Sequence, residues 1–377
     1  MINNNLKLLL LHTSYKTFGG EDVSYLNEKQ FIKEFYNVQE IKFSNKVALK
    51  TSDQISFFTN NNQSSNRKLE KKILDFKPNV LYVHNTWFKA SLGVFEIAKK
   101  YNLHIILKIH NFRYDCINAL HFKNNKPCHD CSIANRTPGI INKCYENSLL
   151  KSLGLTNYSK KYFKVLNEIV DSILVLTNFH KNYLEELGVD SKKIFVYPNY
   201  LEQKPIKQSI KQKYFVYAGR LSTDKGVDYL IDEWKSLKLK SYKLKIIGDG
   251  PLKNILNNDK SIEIVDAVPN NEIIDIINTS TAVINPTRLY EGQPTFLCEA
   301  SMQKKVSIFP NYGGIREFFP QNYPFIFENH QSGSLRAKIQ MVVENPLLVE
   351  KFENLNYQFL SNKLDKQNLI MKFNTVL

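Results

Sequence analysis

Short apolar runs of strand character alternate with stretches of helical period along almost the whole chain. Runs at 6–13 (LKLLLLHT), 40–44, 80–86, 104–111, 172–177 and 194–199 predict six strands, with helical stretches such as FKASLGVFEIAKKY between most of them. A second series opens at 213–219 and continues at 242–248, 262–266, 282–287, 305–310 and 323–328. Strands alternating with helices predict βαβ units, parallel sheets and helices on both faces, an α/β fold class. The polar, Lys- and Gln-rich stretch 201–213 reads as a linker between the two series, and NNNQSSNRK (60–68) as a surface loop. From Asn345 to Leu377 the pattern is helical with no strand to cover, so this stretch is expected to pack elsewhere. Residues 112–150 break the alternation: they offer no clear strand and hold four of the five cysteines.

A length of 377 residues supports two domains rather than one. Residues 1–200 carry 28 Lys and Arg against 17 Asp and Glu, and residues 201–377 carry 23 against 19. The basic first half fits either an anionic partner or a solvated Lys-rich surface. The start, MINNNLKLLLLHTS, lacks the pattern of a secretion signal, and no stretch approaches the roughly 20 apolar residues needed to span a bilayer. The expected location is therefore cytoplasmic, extending at most to the inner face of a membrane. Cysteines there are more often free, metal-bound or catalytic than disulfide-linked.

In doubly wound α/β domains, ligands sit beyond the carboxyl ends of the strands. Gly19 and Gly20 follow the first strand and precede a helix expected near Glu21, where backbone N–H groups can meet a ligand closely. Arg220 and Lys225 follow the first strand of the second series (AGRLSTDKG) and suit a diphosphate, Arg through bidentate hydrogen bonds and Lys as a point charge. YEGQPTFLCE places Glu291 on an incoming loop, Pro294 at a helix start and Glu299 inside that helix. An ionised carboxylate accepts from two parallel O–H donors, as a vicinal diol supplies. His110 closes the fourth strand of the first series. Each residue also has an ordinary reading, as a turn, a surface charge or a satisfied strand-end histidine. No G-x-G-x-x-G, Walker loop or D-x-D occurs, so the positive charge at a diphosphate is expected from Arg220, Lys225 and helix ends, with no divalent metal in catalysis.

GGED after the first strand, HN after the fourth, AGRLSTDKG, IIGDGP and the E-x7-E run EGQPTFLCE occur in this order, and together the chain resembles retaining glycosyltransferases of family 4. The resemblance covers most of the chain. It implies the GT-B fold, two doubly wound Rossmann-like domains facing across a cleft, here with a Cys-containing insertion in the first. The domains implied are 1–200 on the acceptor side (insertion 112–150), the linker 201–213, a nucleotide-sugar domain 214–345, and C-terminal helices 346–377, the last crossing back to the first domain. It also implies roles. Arg220 and Lys225 bind the donor diphosphate, and Glu299 binds the ribose. Glu291, with the backbone of Gly292, Gln293, Pro294 and Thr295, holds the donor sugar. Gly19 and Gly20 approach the phosphates, and His110 touches the sugar. Asn111 stands where such enzymes more commonly have Asp. Gln293 replaces a frequent apolar residue, and Cys298 precedes the second Glu.

In the insertion, Cys128 and Cys131 have knuckle spacing, and Cys116 and Cys144 can complete a tetrahedral zinc site, with His121 and His129 as spare ligands. Buried free thiols are the equal alternative. The function expected is transfer of a sugar from a UDP- or GDP-sugar to a glycan or lipid-linked acceptor in surface-polysaccharide assembly, with peripheral contact to an anionic membrane. The alternatives are a catalytically silent nucleotide-sugar-binding subunit and a GT-B sugar-nucleotide epimerase. Nucleic acid is not an expected partner, because no recognition motif accompanies the charge.

Overall fold

The computed structural model describes residues 6–16, 19–46, 51–206, 209–255, 259–329 and 331–377, without the side chains of 51–54 and 255. Positions 207 and 208 of the expected linker lie outside the described residues. The chain forms two compact units. Unit 1 comprises Met1–Lys123, Cys128–Leu201 and Lys366–Leu377; unit 2 comprises Asn124–Pro127 and Glu202–Asp365.

The strands of unit 1 are β1 (Lys7–Ser14), β2 (Asn37–Ser44), β3 (Val80–Asn85), β4 (His104–Lys108), β5 (Ser172–Val175) and β6 (Ile194–Val196). They form one sheet in the order β2-β1-β3-β4-β5-β6. Pairing is parallel: Leu10 opposes Glu40 on one side and Tyr82 on the other, and the register to β3 shifts between Leu11 and His12. Every side chain of β3 is buried, as a sheet covered on both faces requires. Those of unit 2 are β7 (Tyr214–Ala218), β8 (Lys243–Ile247), β9 (Ile262–Val265), β10 (Ala282–Ile284), β11 (Val306–Pro310) and β12 (Ile326–Phe327), in the order β9-β8-β7-β10-β11-β12. All twelve expected strands are present. β1, β2 and β11 reach or pass the expected carboxyl end; the other nine stop short of it, where the chain turns into loops.

The helices that matter below are α1 (Gly20–Lys33), α2 (Gln63–Phe76), α3 (Leu149–Glu168), α4 (Val227–Leu237), α5 (Asn270–Thr279), α6 (Thr295–Met302) and α7 (Lys366–Asn374). Two expectations are corrected. The polar stretch 60–68 is not simply a loop: Asn62 caps α2 by accepting from the Ser65 amide at 3.3 Å, so Gln63 onward is helical. The region 112–150 contains two two-residue strands, Phe122–Lys123 and Lys126–Pro127, and a single helical turn, Thr137–Ile141. Such short pieces leave no periodic signal.

The core of unit 1 joins Leu8, Leu10, Tyr82 and Ile106 of the sheet to Tyr25 and Phe31 of α1 and to Leu369, Ile370 and Phe373 of α7. Inside it, the Lys108 ammonium and Glu28 carboxylate are both fully buried and paired, the Tyr82 hydroxyl donates to Glu28, and Lys108 lies 4.5 Å from the centre of the Tyr197 ring.

Candidate functional site

In unit 2 the strand order reverses between β7 and β10, which opens a crevice beyond their carboxyl ends. The loop after β7 carries Arg220 and Lys225; the loop after β10 carries Glu291. Backbone contacts lock the two loops together. Gly226 has φ +71°, and a Cβ there would sit 2.1 Å from the Pro286 carbonyl oxygen, so only glycine admits both the conformation and the approach. Arg288, unremarked in the sequence, donates to the Thr223 carbonyl and to Asp228, each at 3.0 Å.

Within this frame the Lys225 ammonium pairs directly with Glu291 Oε1, and the Thr287 hydroxyl donates to the same oxygen at 3.1 Å. The sequence reading set the cations against phosphates and the acids against hydroxyls. The structure joins one of each, because adjacent strands deliver them to one point. Arg220 pairs with Asp224 four residues on, and its side chain remains 54% exposed. Glu299 is buried within α6; burial pushes its carboxyl up, opposed by Asn270 of α5, which donates to Oε1 at 2.8 Å. Pro294 stands at the N-cap of α6 and Thr295 opens it, with no side chain capping the helix. Its first-turn amides are thus available to an anion or to sugar oxygens. Gly292 and Gln293 complete the loop, Gln293 being buried. The buried Cys298 thiol is pushed up by burial; it is no nucleophile.

In unit 1 the reversal lies between β1 and β3. Gly19 caps α1 with φ −136°, donating its N–H to Asp22 Oδ2 at 3.0 Å. A Cβ at Gly19 or Gly20 would meet nothing within 4 Å. Neither packing nor a left-handed conformation demands glycine there, which leaves open space at the helix start. His110 stacks on the buried His84 at 5.8 Å. Its Nε2 is buried without a hydrogen-bond partner, and burial with the nearby Lys108 charge holds it well below the usual histidine range.

The sequence reading missed two features of unit 1. Glu21 follows the glycine pair directly; burial pushes its carboxyl up to about 7, opposed by Arg113 and by Tyr15, whose hydroxyl donates to it at 2.9 Å. Arg113 in turn donates to the Tyr15 hydroxyl at 2.9 Å and covers Trp87 at 4.9 Å. Beside this network lies a cavity of about 720 Å³, lined by aromatics including Tyr15, Phe57, Trp87 and Tyr145, with Arg113 and Lys151. Its lining comes from segments far apart in sequence, so no local motif reported it.

With this geometry in hand, comparison is informative. Residues 191–359 match the family model described as Glycosyl transferases group 1. The match covers less than half of the chain. Over 147 residues the chain is 31% identical to the amylovoran biosynthesis glycosyltransferase AmsD of Erwinia amylovora, covering 35% of this chain and 41% of that protein. Over 211 residues it is 26% identical to an uncharacterised glycosyltransferase of Haemophilus influenzae, covering 54% and 58%. The matched stretches thus span less than two thirds of either relative. A solved structure of Anabaena HepE with UDP and glucose superposes with TM-score 0.69 at 12% identity, covering 99% of this chain and all of that one. The fold shared is GT-B, two Rossmann-like α/β units. The matched segment ends before α7, and the cysteine-bearing region lies wholly outside it.

Proposed function

We propose that the protein is a retaining glycosyltransferase of family 4 character, moving a sugar from a nucleoside diphosphate donor to a glycan or lipid-linked acceptor in surface-polysaccharide assembly. The observation that carries this reading is the Lys225–Glu291 pair at the reversal of the unit 2 sheet, beside the uncapped start of α6. It offers a cation and free amides to phosphate oxygens and a carboxylate to hydroxyls within one crevice. Arg220, half exposed, is available to the same diphosphate. Glu299, held by Asn270, takes the ribose hydroxyls, and Gly292 to Thr295 lie along the sugar. In unit 1, His110, with an unmet ring nitrogen, and the open backbone at Gly19 and Gly20 are further candidate contacts for a sugar or phosphate. HepE has been solved with UDP and with UDP-glucose, which favours UDP over GDP as the carrier here.

In the reaction proposed, the acceptor oxygen bonds to the anomeric carbon on the face from which the diphosphate leaves. The carbon–oxygen bond to phosphate breaks, and the acceptor proton passes to the departing diphosphate. Lys225, Arg220 and the α6 amides meet the charge that develops on it, and no step is assigned to a metal ion. The aromatic cavity of unit 1 suits the acceptor, since sugar rings stack on aromatic faces and Arg113 can meet an anionic group. Ile141, Leu149, Leu150 and Leu153 are each more than half exposed beside the cavity residue Lys151, which supports docking on an anionic membrane surface. Among the described residues no helix is long and apolar enough to cross a membrane.

The test is a panel of UDP- and GDP-sugars assayed for nucleoside diphosphate release with and without lipid-linked and glycan acceptors. One donor should respond, and Glu291→Ala should lower its turnover by at least about 100-fold while nucleotide binding persists. Binding without turnover by the wild type would indicate a silent subunit. Product formed without acceptor would indicate an epimerase, and no binding of any donor defeats the reading.

A further inference from the structure

The cysteine-bearing segment of unit 1 has no part in the reaction above, yet it is built around one point. Cys116, Cys128, Cys131 and Cys144 all line a single enclosed cavity of about 20 Å³, together with His121 and Lys123. That volume admits one water-sized particle. The four thiols are free and half-buried. The Cys116 sulfur lies 2.9 Å from Asn118 Oδ1, within the same loop that carries His121. The Lys123 ammonium lies 3.6 Å from the Cys144 sulfur. A Cβ on Gly139 would strike Ile117 at 2.4 Å and sit 3.1 Å from the Cys131 sulfur, so the backbone is drawn tight around the cluster. A cation beside sulfur is of little use to a neutral thiol and stabilises a thiolate.

We propose that these four cysteines bind one structural zinc ion, which fixes the 116–144 segment and with it the flanking residues that line the aromatic cavity. Spacing left zinc and free thiols equally open; the shared cavity is what separates them. Among the described residues no group of three or more His, Cys, Asp or Glu stands placed to hold a metal ion, so binding requires the sulfurs to turn inward about their Cα–Cβ bonds. A thiolate-coordinating soft site of this kind selects Zn2+ over Mg2+ or Ca2+. Each cysteine that ligates releases its proton to solvent, and the Zn(Cys)4 centre carries two negative charges, which Lys123 partly offsets. The structural consequence follows from chain order. Arg113 lies three residues before Cys116, and Tyr145 and Glu146 directly follow Cys144; all three line the large cavity.

The experiment measures metal on the purified full chain, prepared without added zinc and dialysed, by elemental analysis. One equivalent of zinc is expected, and exchange with Co2+ should give the intense visible absorption of tetrahedral cobalt–thiolate. Cys128→Ser and Cys131→Ser combined should retain less than about a tenth of the metal, whereas Cys298→Ser should keep it all. Chelation should speed hydrogen exchange in 112–148 and leave residues 202–365 unchanged. Because the wild-type content is itself decisive, a variant that fails to fold does not block the test. Metal-free protein with four reactive thiols, or mass-spectrometric evidence that these cysteines form disulfides, overturns the proposal. Neither result would bear on donor binding by unit 2.

Discussion

Glu28 and Lys108 are the most demanding residues of unit 1, because two charges sit where water cannot reach them. Burial pulls the Lys108 ammonium down, and Glu28 opposes that pull. Removing one partner strands the other, so Glu28→Ala should destabilise the protein by about 3–5 kcal/mol, whereas Glu28→Leu with Lys108→Met should cost far less. Urea unfolding of the single and double variants checks this, and equal losses would refute the pairing argument. Glu21 makes the opposite demand. Its carboxyl is raised to about 7 in the folded chain and titrates near the ordinary glutamate value when unfolded. Between those values the folded state binds the extra proton, so this group's contribution to stability declines as pH rises towards 7. Glu21→Gln should remove that decline. The difference between wild-type and variant stability should change from pH 5 to pH 8 and be flat above it. A difference that does not vary with pH would sink the assignment. Of the candidate residues, those beside glycines or at strand ends were legible, since local motifs mark them. The Lys225–Glu291 contact was not, because it depends on which strands become neighbours.

At the scale of elements, strand positions could be read because a strand buried on both faces carries an unbroken apolar run, as LLLL (8–11) in β1 and VLYV (80–83) in β3 do. The start of α2 was hidden by its own cap: Asn62 and the Ser, Asn and Gln around it have loop composition, and the capping hydrogen bond cannot be seen in composition. The cysteine-bearing region 112–150 was illegible for a different reason. Two-residue strands and one-turn helices have no period, and cysteine spacing alone does not decide between thiols and metal. The start of α3 is an element whose exposed face carries a prediction. Leu149, Leu150 and Leu153 stand out into solvent on a helix whose first residues adjoin the aromatic cavity, and no core claims them. Replacing all three by Ser should leave thermal stability nearly unchanged, because surface changes away from packing cost little. Binding to vesicles containing anionic lipid should fall by at least about tenfold, from lost apolar burial of about 1.5–3 kcal/mol per side chain. Unaltered vesicle binding would remove this face from the membrane reading.

At the scale of the molecule, sequence order and spatial order part company at the C-terminus. The last helical residues follow unit 2 in the chain but belong to unit 1. Leu369, Ile370, Phe373 and Val376 are almost wholly buried there. Phe373 packs against Tyr36, Tyr82 and Tyr197. The His104 ring meets the Val376 carbonyl at 2.7 Å, and Lys366 meets Glu34 at 2.8 Å. The helical pattern after 345 showed that these residues had no strand of their own to cover; it could not show which core would accept them. Burial of each large apolar side chain contributes about 1.5–3 kcal/mol, an upper range because unfolded chains are partly compact. Four such residues together rival the stability of a whole domain. A chain ending at Asp365 should therefore lose unit 1 selectively: hydrogen exchange in β1, β3 and α1 should approach the unfolded rate while β7, β10 and α6 keep their protection. It also follows that residues 1–201 alone lack part of their own core, and that unit 1 completes its folding only after unit 2 has been synthesised. If the truncated chain kept β1 and β3 as protected as the full protein does, α7 would be an accessory rather than a structural member of unit 1.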